Sequence, residues 1–392
     1  MAAAVVSVML AGAVDAGAEQ ELPSGAAAQA NESAPSRFVA LTPQRVLDTR
    51  DTRTPVGQGG TITVDLSGQT PATAVAVVLN VVGTEGTAST FLTAYPSDQP
   101  LPATSNLNLF PGQTRANAVT VALSPDRRVT LYNSVGTTHV VVDIAGYYAT
   151  DQGAKFTAEH PASRAIDTRT IMPPIGPGGV VDVRLSLPSW DQPKAVVLNV
   201  TAVDATRRTV VTAYTSGQPK PPTSNLNVSP GEVVPNQVTV PLDSTKTVRL
   251  HNAFGEVHFV VDVLGYYRDG VGSDFVAVTP IRWYDTRPGG AFGLNEEGIT
   301  FRGFEENVTA VAANLTGTNA TQDQHITLWP ASARRLATSN LNLTTGQTAA
   351  NAVTVGVGYS VKFEEYAVDG MNNNSGNVDL IFDVAGFFVL ND

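Results

Sequence analysis

The chain has no cysteine, which excludes a disulfide framework, a thiolate nucleophile, a Cys-ligated zinc site and an iron–sulfur cluster. Charge is also scarce: charged residues make up 15% of 392, and 24 Lys and Arg face 35 Asp and Glu for a net charge of −11. With no basic excess to neutralise phosphates, nucleic acid is not an expected partner. The five histidines are scattered, and no H-E-x-x-H, G-x-S-x-G, phosphate loop or dinucleotide fingerprint occurs. No metal site, cofactor or catalytic activity is therefore expected.

The apolar run Ala2–Val14 is too short to cross a bilayer and is followed by the small residues Ala16, Gly17 and Ala18. Residues 1–18 read as a signal-peptide-like segment, although no Lys or Arg precedes Arg37. Residues 19–36 are rich in Ala, Ser and Pro and read as a disordered spacer. The expected location is secreted or at the cell surface, with no membrane span.

What the chain has in plenty is Gly (34), Pro (25), Val and Thr, a composition of strands joined by turns. Three anchors recur in fixed order. Arg45-Val-Leu-Asp48-Thr-Arg50 returns as Arg164-Ala-Ile-Asp167-Thr-Arg169 and Arg282-Trp-Tyr-Asp285-Thr-Arg287, at spacings of 119 and 118 residues. The stretch Thr104–Asn108 (TSNLN) returns at Thr223–Asn227 and Thr338–Asn342, and Val142–Tyr148 returns at Val261–Tyr267 and Phe382–Phe388. A period this long fits a whole folding unit and not a solenoid turn or a single propeller blade. The boundaries read as repeat 1 at 37–150, repeat 2 at 151–270 and a divergent, acidic repeat 3 at 271–392. About eight or nine short strands per repeat, with no capped helical period, predict an all-β chain of three tandem β-sandwich domains, jelly-roll or Greek-key-like. Val77–Val82 is apolar on both faces, which predicts a strand inside a sheet.

The combination R-x-x-D-T-R, T-S-N-L-N and D-V-x-G-Y-Y resembles a tandem repeat of exported proteins from high-GC Gram-positive bacteria. The resemblance spans Arg37–Leu390 and implies an extracellular, envelope-associated accessory module. The third repeat departs from it with Phe387-Phe388 in place of the Tyr pair and an Asn-rich turn at 369–377.

Polar residues that recur read first as structure. Asp143, Asp262 and Asp383 sit among apolar neighbours and need cationic partners. Arg45 or Arg50, Arg164 or Arg169, and Arg282 or Arg287 are the expected sources, with Asp48, Asp167 and Asp285 in the same networks. Asn80, Asn199 and Asn314, with Asn117, Asn236 and Asn351, read as buried pins for loops. His139 and His258 are equivalent, but repeat 3 has Asp379 there, an exchange no repeated metal site or triad would tolerate.

The candidate ligand-binding residues are Asn106, Asn108, Asn225, Asn227, Asn340 and Asn342, an alternating amide face. Tyr95, Tyr214 and Trp329 precede them and could stack on a sugar ring. The alternative is that these amides tie down the Pro-rich loop before them. The expected function is a non-catalytic surface module binding cell-wall or extracellular glycans through repeated weak sites. A structural spacer or subunit assembling with itself or other surface proteins is the alternative, and a secreted hydrolase a distant third.

Overall fold

A computed structural model describes residues 32–188, 192–289, 298–373 and 376–391, so the signal-like segment lies outside the described residues. Short runs of β-branched and apolar residues broken by Gly, Pro and Asp turns give strands almost throughout. Repeat 1 holds β1 (Arg37–Asp48), β2 (Thr61–Asp65), β3 (Ala74–Thr84), β4 (Thr90–Pro96), β5 (Leu107–Leu109), β6 (Arg115–Ala122), β7 (Arg128–Asn133) and β8 (His139–Ala149). Repeat 2 holds β9 (Lys155–Asp167), the single-turn α1 (Thr168–Ile171), β10 (Val180–Arg184), β11 (Ala195–Val203), β12 (Thr209–Thr215), β13 (Leu226–Val228), β14 (Val234–Pro241), β15 (Thr247–Asn252) and β16 (His258–Arg268). Repeat 3 holds β17 (Asp274–Asp285), β18 (Ile299–Phe304), β19 (Val308–Thr318), β20 (Gln324–Pro330), β21 (Leu341–Leu343), β22 (Ala349–Gly356), β23 (Gly358–Ser360), β24 (Glu365–Asn372) and β25 (Asp379–Val389).

These strands form six small antiparallel sheets, two to a repeat. In repeat 1 the orders are β1-β8-β3-β6 and β2-β7-β4-β5; the other repeats follow the same pattern, with β23 added beside β24. The expectation of three tandem β-sandwich domains is corrected here. The six sheets are arranged as a six-bladed β-propeller, two blades to each repeat, around a shared centre. Each repeat has an apolar cluster between its own two sheets. A fourth cluster draws on all three repeats and ties them into a ring.

The aromatic residues explain the closure. Phe38 stacks on Tyr267 with centroids 4.3 Å apart, Phe156 on Phe388 at 4.1 Å and Phe275 on Tyr148 at 4.1 Å, so each repeat lends one ring to the next and takes one back. The glycine of each D-V-x-G motif makes room: a Cβ on Gly146, Gly265 or Gly386 would fall 2.3 Å from the ring of Phe38, Phe156 or Phe275. Tyr148 and Tyr267 share a hydrogen bond at 2.6 Å between their hydroxyls. The two buried hydroxyls satisfy each other, and repeat 3 places Phe388, with no hydroxyl, at the same position.

Backbone pairing at the junctions follows the same cycle: Phe38 with Ala154, Phe156 with Ser273, and Phe275 with Ser36. Ser36 N–H and Oγ–H both donate to Phe275 O, at 2.9 and 2.8 Å, and Ser33 N–H donates to Ala277 O at 2.8 Å. Residues 32–36, which composition assigns to a disordered spacer, instead close the ring. Strands β3, β11 and β19 are buried along nearly their whole length because one face meets the repeat's own second sheet and the other meets the shared centre.

Candidate functional site

The three recurring motifs meet at each seam between repeats. Arg45 Nε donates to Asp143 Oδ1 at 2.9 Å and Arg282 Nε to Asp383 Oδ1 at 2.9 Å, and Arg164 pairs in the same way with Asp262. The first arginine of the motif is therefore the partner. The second one turns back on its own motif: Arg50 to Asp48 at 2.6 Å, Arg169 to Asp167 at 2.6 Å and Arg287 to Asp285 at 2.5 Å. Asp143, Asp262 and Asp383 are 2–3% exposed, and burial outweighs their arginines and pushes their carboxyls up, to about 6 for Asp262. The hydrogen bonds from Arg50 and Arg169 hold Asp48 and Asp167 below the usual carboxylate range.

Onto each of these pairs the next repeat lays its T-S-N-L-N loop. Ser105 N–H donates to Asp383 Oδ2 at 3.2 Å, and the backbone N–H groups of Ser224 and Ser339 donate to Asp143 and Asp262. Asn80 Nδ2 donates to Ser224 O at 2.7 Å, Asn199 to Ser339 O at 2.8 Å and Asn314 to Ser105 O at 2.7 Å. A second cycle runs from Asn236 to Asn80 at 3.1 Å, Asn351 to Asn199 at 3.0 Å and Asn117 to Asn314 at 2.9 Å. The pins thus hold loops of neighbouring repeats and not only their own.

The histidine exchange has a similar explanation. Thr49 Oγ1 accepts from Val140 N at 2.9 Å and lies 2.9 Å from His139 Nδ1; Thr168 does the same with Phe259 N and His258. In repeat 3 Thr286 accepts from Leu380 N and donates to Asp379 Oδ1. A hydroxyl that accepts from an N–H has its proton to give, and a neutral imidazole nitrogen or a carboxylate takes it equally well.

The amide face proposed for ligand binding is committed to the fold. Asn106 Oδ1 accepts from Ala94 N, Asn225 Oδ1 from Ala213 N and Asn340 Oδ1 from Leu328 N, each at 2.7 Å, and all three side chains are buried. Tyr95 and Tyr214 are buried with no open ring face for a sugar, and Trp329 is half-buried with the Arg335 guanidinium 6.0 Å over its ring. Asn108 and Asn342 line a pocket of about 30 Å³ shared by the three repeats, room for about one water. The loop tip at 369–377 includes residues 374 and 375, outside the described residues.

Asn227 faces a larger space. It lines an open groove of about 510 Å³ between repeats 1 and 2, with Phe110, Gln113, Thr114, Arg208 and Phe254. Phe110 is 39% exposed and Phe254 56%. Asn227 Nδ2 is buried with no hydrogen-bond partner, as is Asn108 Oδ1 in repeat 1. Phe110, Arg208 and Phe254 escape a search for recurring residues because they do not recur. Strand register puts Ser229 and Thr344 where repeat 1 has Phe110, and Ser89 and Asp323 where repeat 2 has Arg208. Comparing the repeats for positions where one departs towards an aromatic or a cation would have found them.

No family model matches the chain, and no curated protein matches it. Among solved structures, a chain of Sulfolobus Turreted Icosahedral Virus is 9% identical over 93% of this chain and 91% of that one, with a TM-score of 0.21. A TM-score that low is too slight to assign a common fold.

Proposed function

We propose that the protein is a non-catalytic module of the cell surface or extracellular space that binds cell-envelope or extracellular glycans. The binding surface in this reading is the groove between repeats 1 and 2, and not the amide faces. The observation that carries it is the pair of exposed rings, Phe110 and Phe254, on a groove whose walls also carry Gln113, Thr114, Asn227 and Ser229 beside the charged Arg208 and Glu232. An apolar ring face beside neutral donors and acceptors suits a pyranose, whose C–H face stacks while its hydroxyls exchange hydrogen bonds. A non-catalytic role is supported by where the acids go: Glu232 on the groove wall is engaged by Arg115 at 2.9 Å, and the buried aspartates are engaged by arginines. A location outside the cytoplasm is supported by the apolar Ala2–Val14 run and the small residues after it.

The test is a panel of envelope oligosaccharides titrated against the full chain and a Phe110→Ala/Phe254→Ala variant. At least one glycan should bind, and the variant should bind it about tenfold or more weakly, which corresponds to about 1.4 kcal/mol. Equal binding by the variant, or no binding by any glycan, overturns the reading.

A further inference from the structure

The groove does not end at its two phenylalanines. A second chamber of about 280 Å³ adjoins it, and Thr114, Val210 and Asn227 line both. Its charged and titratable lining consists of Arg45, Arg50, Lys220 and His251, with no Asp or Glu. Arg45 and Arg50 are neutralised by Asp143 and Asp48. Lys220, and Arg208 in the first chamber, have no carboxylate within ion-pair distance among the described residues. The acid on the walls, Glu232, is held by Arg115 and accepts from Ser229 N at 2.8 Å. The uncompensated charge of the groove is therefore positive on a chain whose net charge is −11.

Thr223 Oγ1 and Asn227 Nδ2 on these walls are buried without hydrogen-bond partners, as are their repeat-1 counterparts Thr104 Oγ1 and Asn108 Oδ1, so it is the cations and exposed rings that set this groove apart. Burial and then the Lys220 charge hold the His251 imidazole below its ordinary value. The other seams do not repeat the pairing of Lys220 with His251. In the positions of Lys220 and His251, the 3–1 seam has Leu101 and Tyr132, while the 2–3 seam has Arg335 and Met371, which contact each other.

We propose that the 1–2 groove is specific for an anionic glycan, its sugar ring against Phe110 and Phe254 and its carboxylate or phosphate group at Lys220, with Arg208 adding to the attraction. This rests on the glycan reading above and names the class of ligand. Carboxylate and phosphate share the chemistry of two or more acceptor oxygens on one negative charge, which an unpaired ammonium or guanidinium binds in charge-assisted hydrogen bonds.

The experiment titrates the full chain at low salt with three probes: a neutral cello-oligosaccharide, an oligogalacturonate of similar length and a glycosylated glycerol-phosphate oligomer. At least one acidic probe should bind about tenfold more tightly than the neutral one, with an advantage that shrinks as salt rises. Which acidic probe responds identifies the group. Lys220→Gln/Arg208→Gln should remove that advantage and leave neutral binding unchanged, while Lys220→Arg should retain most of it. If the neutral probe binds as well as both acidic ones, or if the charge-removing variant binds the acidic probe normally, the anionic specificity is overturned and the glycan reading stands. If none of the three probes binds and the wider panel also fails, both are overturned.

Discussion

The seams and the groove lie on the same boundaries between repeats and follow opposite rules. At the seams the same residue types make the same bonds three times over: arginine to buried aspartate, asparagine to the next repeat's serine carbonyl, loop N–H to carboxylate. In the groove the side chains change from boundary to boundary, Phe110 giving way to Ser229 and Thr344, and Lys220 to Arg335 and Leu101. Recurrence marks what every boundary needs in order to close. Positions released from that need are where one boundary has room to acquire a binding surface of its own.

The sharpest way to break this comparison is to remove a recurring cation. Arg282→Ala leaves Asp383, 3% exposed, with the Ser105 N–H as its remaining hydrogen bond and only the longer-range charge of Arg287 to offset its own. Loss of one partner from a buried pair costs about 3–5 kcal/mol. Because Asp383 joins repeat 3 to repeat 1, denaturant unfolding followed by circular dichroism should show the whole ring destabilised in one transition. A separate early transition carrying about a third of the amplitude would mean that the repeats stand independently.

The next effect tests the shared centre. Tyr148→Phe leaves the Tyr267 hydroxyl buried without its 2.6 Å partner, at a cost of about 1–3 kcal/mol. Tyr148→Phe/Tyr267→Phe removes both hydroxyls and should recover most of that loss, bringing repeats 1 and 2 to the condition of repeat 3. If the double variant is as unstable as the single losses added together, the hydroxyls are not paired with each other.

Much of the recurring half of this comparison is legible in the sequence, because period, strand patterning and buried polar residues are local features. The number of repeats, the all-β content and the need of Asp143 for an arginine can all be read from single segments. Closure cannot be read that way. Asn80 reaches Ser224 and Asn314 reaches Ser105, separations of 144 and 209 residues, and neither motif carries a mark of its partner. One clue lay in Val77–Val82, apolar on both faces: a sandwich strand has a core on one side, and this one also faces the shared centre. Composition misleads at Ser33 and Ser36, whose small polar side chains suit a spacer but also bond to β17. The groove is hidden for a further reason, since its walls come from two repeats and its distinguishing residues are those that break the pattern.

The pH dependence offers a smaller effect. The Asp262 carboxyl, pushed up to about 6 by burial, keeps a proton in the folded state that the unfolded chain, near 3.8, has already released. Stability from this group is therefore full below the unfolded value and is lost as pH rises through about 6. Asp48 and Asp167 have the opposite sign, since their arginines lower them and their contribution is lost as pH falls below the unfolded value. Asp262→Asn should flatten the decline between about pH 4 and 6 by on the order of 1–2 kcal/mol. An unchanged slope in urea titrations across that window would place the proton elsewhere.

The smallest effect is the one that most sharpens the contrast. Phe254→Ala, Lys220→Gln and Arg208→Gln each alter a side chain that is exposed and that no other boundary reproduces. Exposed positions away from caps, cores and buried networks change stability by about 0.5 kcal/mol or less in either direction. Unfolding midpoints should therefore stay near wild type while any binding in the groove falls. If one of these variants instead unfolds as early as Arg282→Ala, the groove side chains belong to the ring's own support, and their failure to recur would reflect three different solutions to closure and not a site released from it.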